Sequence, residues 1–455
     1  MNESHAPFDA ATPAPTARPV HEVVDLVDPQ TQRFFGDPPA TLEEARRAVA
    51  ADDVEAVRRL FGSFALVTRD GEAVRMARSL DRPLRYFLAK EASGPLLVVA
   101  ERIDEIRAEL ERRGHLDQFH PSYTRMVPAH HVLTLRLIGC PDPNPTHRRF
   151  FAPPRGVMPP DLDLIGEHYV GALAETVDGW LAAQPDDEPI GVAFSGGIDS
   201  GAVLLATYHG LLRSGRKPSR LKAFVLDAGG GEDARQAREF LRRLDLEMLL
   251  ETIEVEPQAI DPLAAVELIE DYKPLDVECA AVGAALLGEI RRRDPAWRLM
   301  IDGDGGDENL KDYPIEENPE LTIRSVVGNS MLYQEGWGVE AVKHSLTYSG
   351  GLSRGCVRTW APARRFGFTG FSPFTMPQVI EVAEAIPFDE LTRGDHEALY
   401  ALKGEVVRRG VAHHFGVDMP IFPKRRFQHG VGAGERLSVP PALLRRHFDE
   451  VHRPR

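Results

Sequence analysis

Cysteine is scarce in this chain. Three residues in 455, Cys140, Cys279 and Cys356, are too few and too far apart for a disulfide framework or a thiolate zinc site. They suit a reducing, cytoplasmic setting. No apolar run approaches the roughly 18 residues that a membrane-crossing helix needs. The first twenty residues, rich in Ala, Pro and Thr, lack the apolar stretch of a secretory signal and read as a flexible arm. Positive charge is the minority sign. Against 69 Asp and Glu stand 54 Lys and Arg, a formal net charge of −15, which argues against nucleic acid or an anionic membrane as partner. One local basic cluster is present, "KRR" at Lys424 to Arg426. There is no internal repeat. Ordinary hydrophobic and charged content over this length implies a soluble protein of two or three domains.

Two textures divide the chain. From Val23 to Phe151 short β-prone runs such as "GSFALVTRDG", "LRYFLAK", "GPLLVVA" and "HHVLTLRL" are separated by turn residues. Two helical patches, "TLEEARRAVAADDVEAVRRLF" and "RIDEIRAELERRG", interrupt them. The Pro- and Gly-rich "APPRGVMPPD" at 152–161 reads as a linker. Beyond it strands alternate with helices: "IGVAF", "LKAFVLD", "EMLLETIEV" and "WRLMIDGDGGDE" each follow a helical pattern. That alternation predicts an α/β domain with a doubly wound parallel sheet, whose ligands sit beyond the carboxyl ends of the strands. The expected layout is an arm at 1–20, a domain at 21–151, the linker, a second domain at 162–440 and a tail at 441–455.

At the end of the first strand of that second domain the sequence runs "GVAFSGGIDS", then opens a helix. A strand that stops at a glycine-rich turn before a helix is an anion trap, because the first helical amides lack partners and the dipole favours negative charge. Gly196 and Gly197 allow close backbone approach, and Ser195 and Ser200 add hydroxyls. Asp199 is out of place beside an anion unless a divalent cation bridges them; magnesium, held by carboxylates and phosphate oxygens, fits. A second carboxylate is then required at a neighbouring strand end. "DGDGGDE" offers Asp302, Asp304, Asp307 and Glu308. The bland alternative is a plain strand–turn–helix with a solvated aspartate; a second acidic, glycine-rich strand end argues against it.

"SGGIDS" resembles the pyrophosphate loop of the N-type ATP pyrophosphatases. "IEDYKPLDVECAAVGAALL" with "MIDGDGGDE", "FGFTGFSPF" at 366–374 and "PKRRFQHGVG" at 423–432 resemble, in order and spacing, segments of asparagine synthetases. The likeness spans the last two-thirds of the chain. It implies that Ser195, Gly196, Gly197, Asp199 and Ser200 hold the departing phosphates of ATP. It further implies Asp199 and Asp307 as Mg²⁺ ligands, backbone groups of Val225 and Leu226 against adenine, and Gly303 close to the nucleotide or acyl group. Lys424 matches the family lysine that stabilises charge on the adenylate and pyrophosphate.

The N-terminal strands resemble the family's class II glutaminase domain, a sandwich of two antiparallel sheets. Its nucleophile, a cysteine at position 2, is here Asn2, and an amide side chain is no nucleophile. The resemblance therefore implies a degenerate domain without glutamine hydrolysis. Loss of that cysteine is typical of β-lactam synthetases, carbapenam synthetases and lasso-peptide cyclases, which adenylate a carboxylate and let an amine displace AMP. A tyrosine oriented by a glutamate is the base in the first two. Here the glutamate position is Thr369, and Tyr333, next to Glu335, lies at about the right distance for the tyrosine. A packed helix aromatic is an equal reading of Tyr333.

The expectation is an ATP- and Mg²⁺-dependent, AMP-forming C–N ligase acting on small-molecule or peptide carboxylates and amines, as in antibiotic or macrolactam biosynthesis. An ammonia-dependent asparagine synthetase-like enzyme and an inactive nucleotide-binding scaffold are the rivals. Assembly into a homodimer stays open. The paired histidines His413–His414 and His130–His131 point apart on a helix and a strand, and Cys279 reads as a buried small hydrophobe.

Overall fold

The computed structural model describes residues 22–92, 94–137, 145–312, 322–328, 356–423 and 437–453. The N-terminal part contains two four-stranded sheets. One has the order β1 (Glu22–Asp25), β7 (Gly94–Ala100), β6 (Arg85–Glu91), β8 (Arg125–Met126), antiparallel except for β1 against β7. The other runs β10 (Thr146–Arg149), β9 (His131–Arg136), β5 (Ala73–Arg78), β4 (Ala65–Asp70), wholly antiparallel. Alternating residues Val74, Met76, Leu133 and Leu135 meet Leu97 and Val99 in a shared apolar layer. A small ribbon of β2 (Arg33–Phe34) and β3 (Gly62–Ser63) lies beside them.

The patch at 41–61 is two helices, not one. Leu42–Ala50 starts at a capping box of Thr41 and Glu44, and Val54–Arg58 starts at Asp53, whose carboxylate accepts from the Ala56 amide. Asp52, at φ 53°, turns the chain between them. His130 likewise sits in a left-handed turn at φ 60°, before β9 and not within it.

The second half is built on a five-stranded parallel sheet, order β13 (Leu250–Glu254), β12 (Leu221–Asp227), β11 (Ile190–Ala193), β14 (Leu299–Ile301), β15 (Thr369–Phe371). The first strand in sequence is central. Later strands add on one side as β12 and β13 and on the other as β14 and β15, so the order reverses between β11 and β14. That reversal opens the crevice in which doubly wound sheets bind ligands. Ile190, Val192, Leu221, Ala223 and Ile301 are fully buried under the flanking helices, as a sheet covered on both faces demands.

The two halves share an apolar cluster, in which Phe87, Leu96 and Ile106 join Val266, Val277 and Phe448. Polar contacts reinforce it. Glu270, nearly fully buried, accepts the Ile103 amide at 2.8 Å, so a carboxylate of one half caps the helix Ile103–Arg112 of the other. Arg85 and Arg102 lie 3.3 and 3.4 Å from the same carboxylate. Arg364 and Arg82 both bond Glu101, and their guanidinium groups stack on the Trp360 ring. Residues 441–452, within the expected tail, form a helix across this seam: Arg107 donates to the Val451 carbonyl at 2.8 Å, and His447 reaches Glu267 at 2.9 Å.

Candidate functional site

The end of β11 delivers Ser195 to Gly197 into the crevice, and Gly197 is the N-cap of the helix Ile198–Arg213. A glycine cap brings no side chain to the first-turn amides, which leaves that end suited to an anion. Ser195 Oγ lies 3.3 Å from both the Gly197 amide and Ser200 Oγ, long bonds that leave both hydroxyls able to turn to a ligand. Gly196 has φ 73° and presses on the helix Glu232–Arg243, where an added Cβ would stand 2.8 Å from the Ala237 nitrogen. Gln236 donates to the Ser195 carbonyl at 3.3 Å, fixing the turn from above.

The end of β14 brings the second motif against the first. A Cβ on Gly303 would lie 2.7 Å from the Ser200 nitrogen, and one on Gly306 would overlap the Asp199 carboxylate. Bare backbone at these two positions lets the acidic loop lie directly on the helix start. Gly303 thus lies directly on the start of the helix Ile198–Arg213. Asp307, in the first turn of the short helix Gly306–Asn309, then faces Asp199.

What joins them is a lysine that sequence reasoning missed. Lys403 Nζ lies 2.5 Å from Asp199 Oδ2, bonds Asp307 Oδ1, and stands 3.4 Å from Asp312 Oδ2. Its side chain is 3% exposed. Burial works to lower its pKa, but the three carboxylates outweigh burial and raise it well above the usual lysine value. Lys403 comes from the helix His396–Phe415, on the same stripe as buried Leu399, Leu402, Val406 and Val407. A cation in the middle of an apolar stripe requires buried partners, and that was the available signal.

Around this centre lie further polar groups. Asp302 is buried; its pKa is raised by burial and by neighbouring Asp304, and Ser372 Oγ donates to it at 3.0 Å. Thr359 Oγ1 donates to Asp304 at 2.8 Å. Tyr169, stacked on Phe374, has its pKa pushed up chiefly by burial and then by the Asp199 charge. Asn309 donates to the Phe374 carbonyl at 3.0 Å.

Val225 and Leu226 stand at the carboxyl end of β12 with buried side chains. The Asp227 carbonyl accepts from Val255 on the β13 side, and the Phe224 carbonyl accepts from Phe194 on the β11 side. Backbone groups alternate along a strand, so those of Val225 turn to β13. Those of Leu226 face the open side beyond the end of β11. Asp227 Oδ1 is wrapped by the amides of Gly229, Gly230 and Gly231 at 2.7–3.1 Å. Thr369 begins β15 opposite Leu299, ahead of the acidic loop. Tyr333, Glu335 and Lys424 lie outside the described residues.

The oxygen donors of Asp199 and Asp307 fit a hard divalent cation, which keeps one or two carboxylates and takes its other ligands from phosphate and water. Among the described residues no group of three or more His, Cys, Asp and Glu could hold a metal unaided. Nor is any helix among them long and apolar enough to cross a membrane.

Residues 172–345 match the family model for asparagine synthase. The matched stretch includes both motifs, while Lys403 and Lys424 lie beyond it. Among solved structures, NMN synthetase from Francisella tularensis is 16% identical, over 58% of this chain and 99% of its own, with a TM-score of 0.24. NAD+ synthetase from Burkholderia pseudomallei is 19% identical, over 58% of this chain and 93% of its own, also with a TM-score of 0.24. No curated protein matches at a comparable level.

Proposed function

We propose that this chain is an ATP-dependent, AMP-forming ligase that joins a carboxylate to an amine. One observation carries the reading: Asp199 and Asp307, 108 positions apart, are brought to a single point at the switch crevice of a parallel sheet, beside a glycine-rich turn and a helix N-terminus. The match to asparagine synthase over residues 172–345 supports the same class. In this reading the triphosphate lies along Gly196 to Ser200. The hydroxyls of Ser195 and Ser200 donate to its oxygens, and Leu226 offers its backbone groups to the adenine.

A substrate carboxylate oxygen bonds to the α-phosphorus as the bond to the β-phosphate oxygen breaks, and pyrophosphate leaves. The amine nitrogen then bonds to the acyl carbon, gives up a proton and expels AMP. Asp199 and Asp307 would hold Mg²⁺, which neutralises charge on the leaving pyrophosphate. Lys403 keeps the two acids together, and Lys424 supplies positive charge where negative charge develops, the arrangement that contributes most to barrier lowering in such sites. In this reading the amine is a substrate in its own right, not ammonia from glutamine. Lactam and macrolactam precursors, whose amine and carboxylate belong to one molecule, are the substrates this favours.

The test is ATP–pyrophosphate exchange across a panel of amino-acid, β-amino-acid and peptide carboxylates. Exchange with at least one of them, and its loss in Asp199→Asn, is the expected result. Exchange that survives Asp199→Asn would remove the assignment of the site.

A further inference from the structure

Three carboxylates, Asp199, Asp307 and Asp312, share the Lys403 ammonium, and it engages an oxygen of each acid that a metal would need. Lys403 is held there by its helix. It shares that helix's buried stripe with Leu399, Leu402, Val406 and Val407, and its side chain is 3% exposed. Magnesium binds oxygen at about 2.0–2.1 Å and gives up water reluctantly, so it needs both acids presented without a competing cation between them. A doubly charged ion alone would meet a buried positive charge already bonded to its ligands.

We propose that Lys403 is a placeholder cation: it bars free divalent metal from the Asp199–Asp307 pair, so that metal enters only as its complex with the nucleoside triphosphate. The triphosphate offers the ammonium new acceptors beside the old ones. Lys403 turns to the phosphate oxygens, and the acids are released to the metal that the phosphates carry. Before binding, the same ammonium keeps two like charges from separating the β11 and β14 loops. Lys403 is on this account a positioning residue that sets the order of loading. The nucleotide part rests on the ligase reading; the competition between ammonium and metal does not.

The experiment is Mn²⁺ binding followed by electron paramagnetic resonance, with and without the α,β-methylene analogue of ATP. Wild-type protein is expected to bind Mn²⁺ weakly alone and tightly with the analogue. Lys403→Met, whose side chain is similar in length and uncharged, is expected to bind Mn²⁺ without nucleotide at least about tenfold more tightly than wild type. Lys403→Arg should behave as wild type. Tight wild-type Mn²⁺ binding without the analogue overturns the proposal, and so does a folded Lys403→Met with no gain. Should Lys403→Met not fold, Lys403→Gln is judged by the same criterion, and tight wild-type binding of the metal alone is decisive by itself. If the analogue brings no metal but Lys403→Met still gains, the ligase reading fails and the ammonium barrier stands.

Discussion

Replacing Gly303 by alanine asks whether the two motifs must touch. The added methyl would sit 2.7 Å from the Ser200 nitrogen and 2.9 Å from both the carbonyl carbon and Cβ of Asp199, where ordinary contact begins at 3.4 Å. Two of these neighbours are backbone atoms, so no side chain can swing aside. The β14 loop must instead lift off the helix start by several tenths of an ångström. Overpacking of this kind costs about 1–3 kcal/mol, well within what a large two-part chain tolerates while staying folded. The functional cost should be larger than the stability cost suggests. A misplacement approaching 1 Å at a reacting centre lowers rate by roughly 100-fold. Pyrophosphate exchange in Gly303→Ala should therefore fall between about tenfold and 100-fold, with thermal unfolding lowered by only a few degrees. Gly230→Ala is the control, since a Cβ there meets nothing within 4 Å among the described residues, although its φ of 83° adds some strain. Wild-type exchange in a folded Gly303→Ala would refute the close apposition of the two strand ends.

The seam between the halves gives further tests. Glu101→Leu removes the carboxylate shared by Arg82 and Arg364, and breaking a buried pair in this way should cost about 3–5 kcal/mol, read as a lowered urea midpoint. His452 is held neutral, its pKa lowered to about 4 from 6.5, mainly by burial. Its native form binds fewer protons than the unfolded chain between those values. Stability from this group is thus complete above pH 6.5 and is lost as pH falls to about 4, a total of about 3 kcal/mol. Its Nε2 is buried and has no hydrogen-bond partner among the described residues, so His452→Leu should reduce that acid loss at little cost near pH 7; an unchanged pH profile would contradict it. Lys424→Met should lower exchange by about 100- to 1,000-fold while leaving unfolding temperature unchanged, and a smaller effect would remove its assigned role.

The site's outline was legible because local chemistry dictated it. Ser195–Ser200 and Asp302–Glu308 each announce a strand end through glycines and acids, and the structure places both in one crevice. Lys403 was not legible by that route: it lies inside a helix, where only a charge interrupting an apolar stripe marks it, and its three acid partners are 204, 96 and 91 positions away in the chain. The break at Asp52 was hidden because helical periodicity continues across it, although the Asp53 cap carries a signal of its own. β15 went unread because three residues, Thr369–Phe371, are too few to show alternation, and its place is set by pairing with β14. The Glu270 cap could not be foreseen, since capping residues are sought next to the helix they serve and this one comes from the other half of the chain.

The helix Pro441–His452 carries a consequence for biogenesis. It is translated after every element it joins, and it rests on Arg107 and Glu267 together. Until it is made, the buried Leu444 and Phe448 that it adds to the apolar cluster of Ile106 and Val266 are missing from the seam between the halves. A nascent chain paused before residue 441 is thus sticky by construction, and recruiting a chaperone or slowing synthesis there would change yield without altering a single residue of the finished protein.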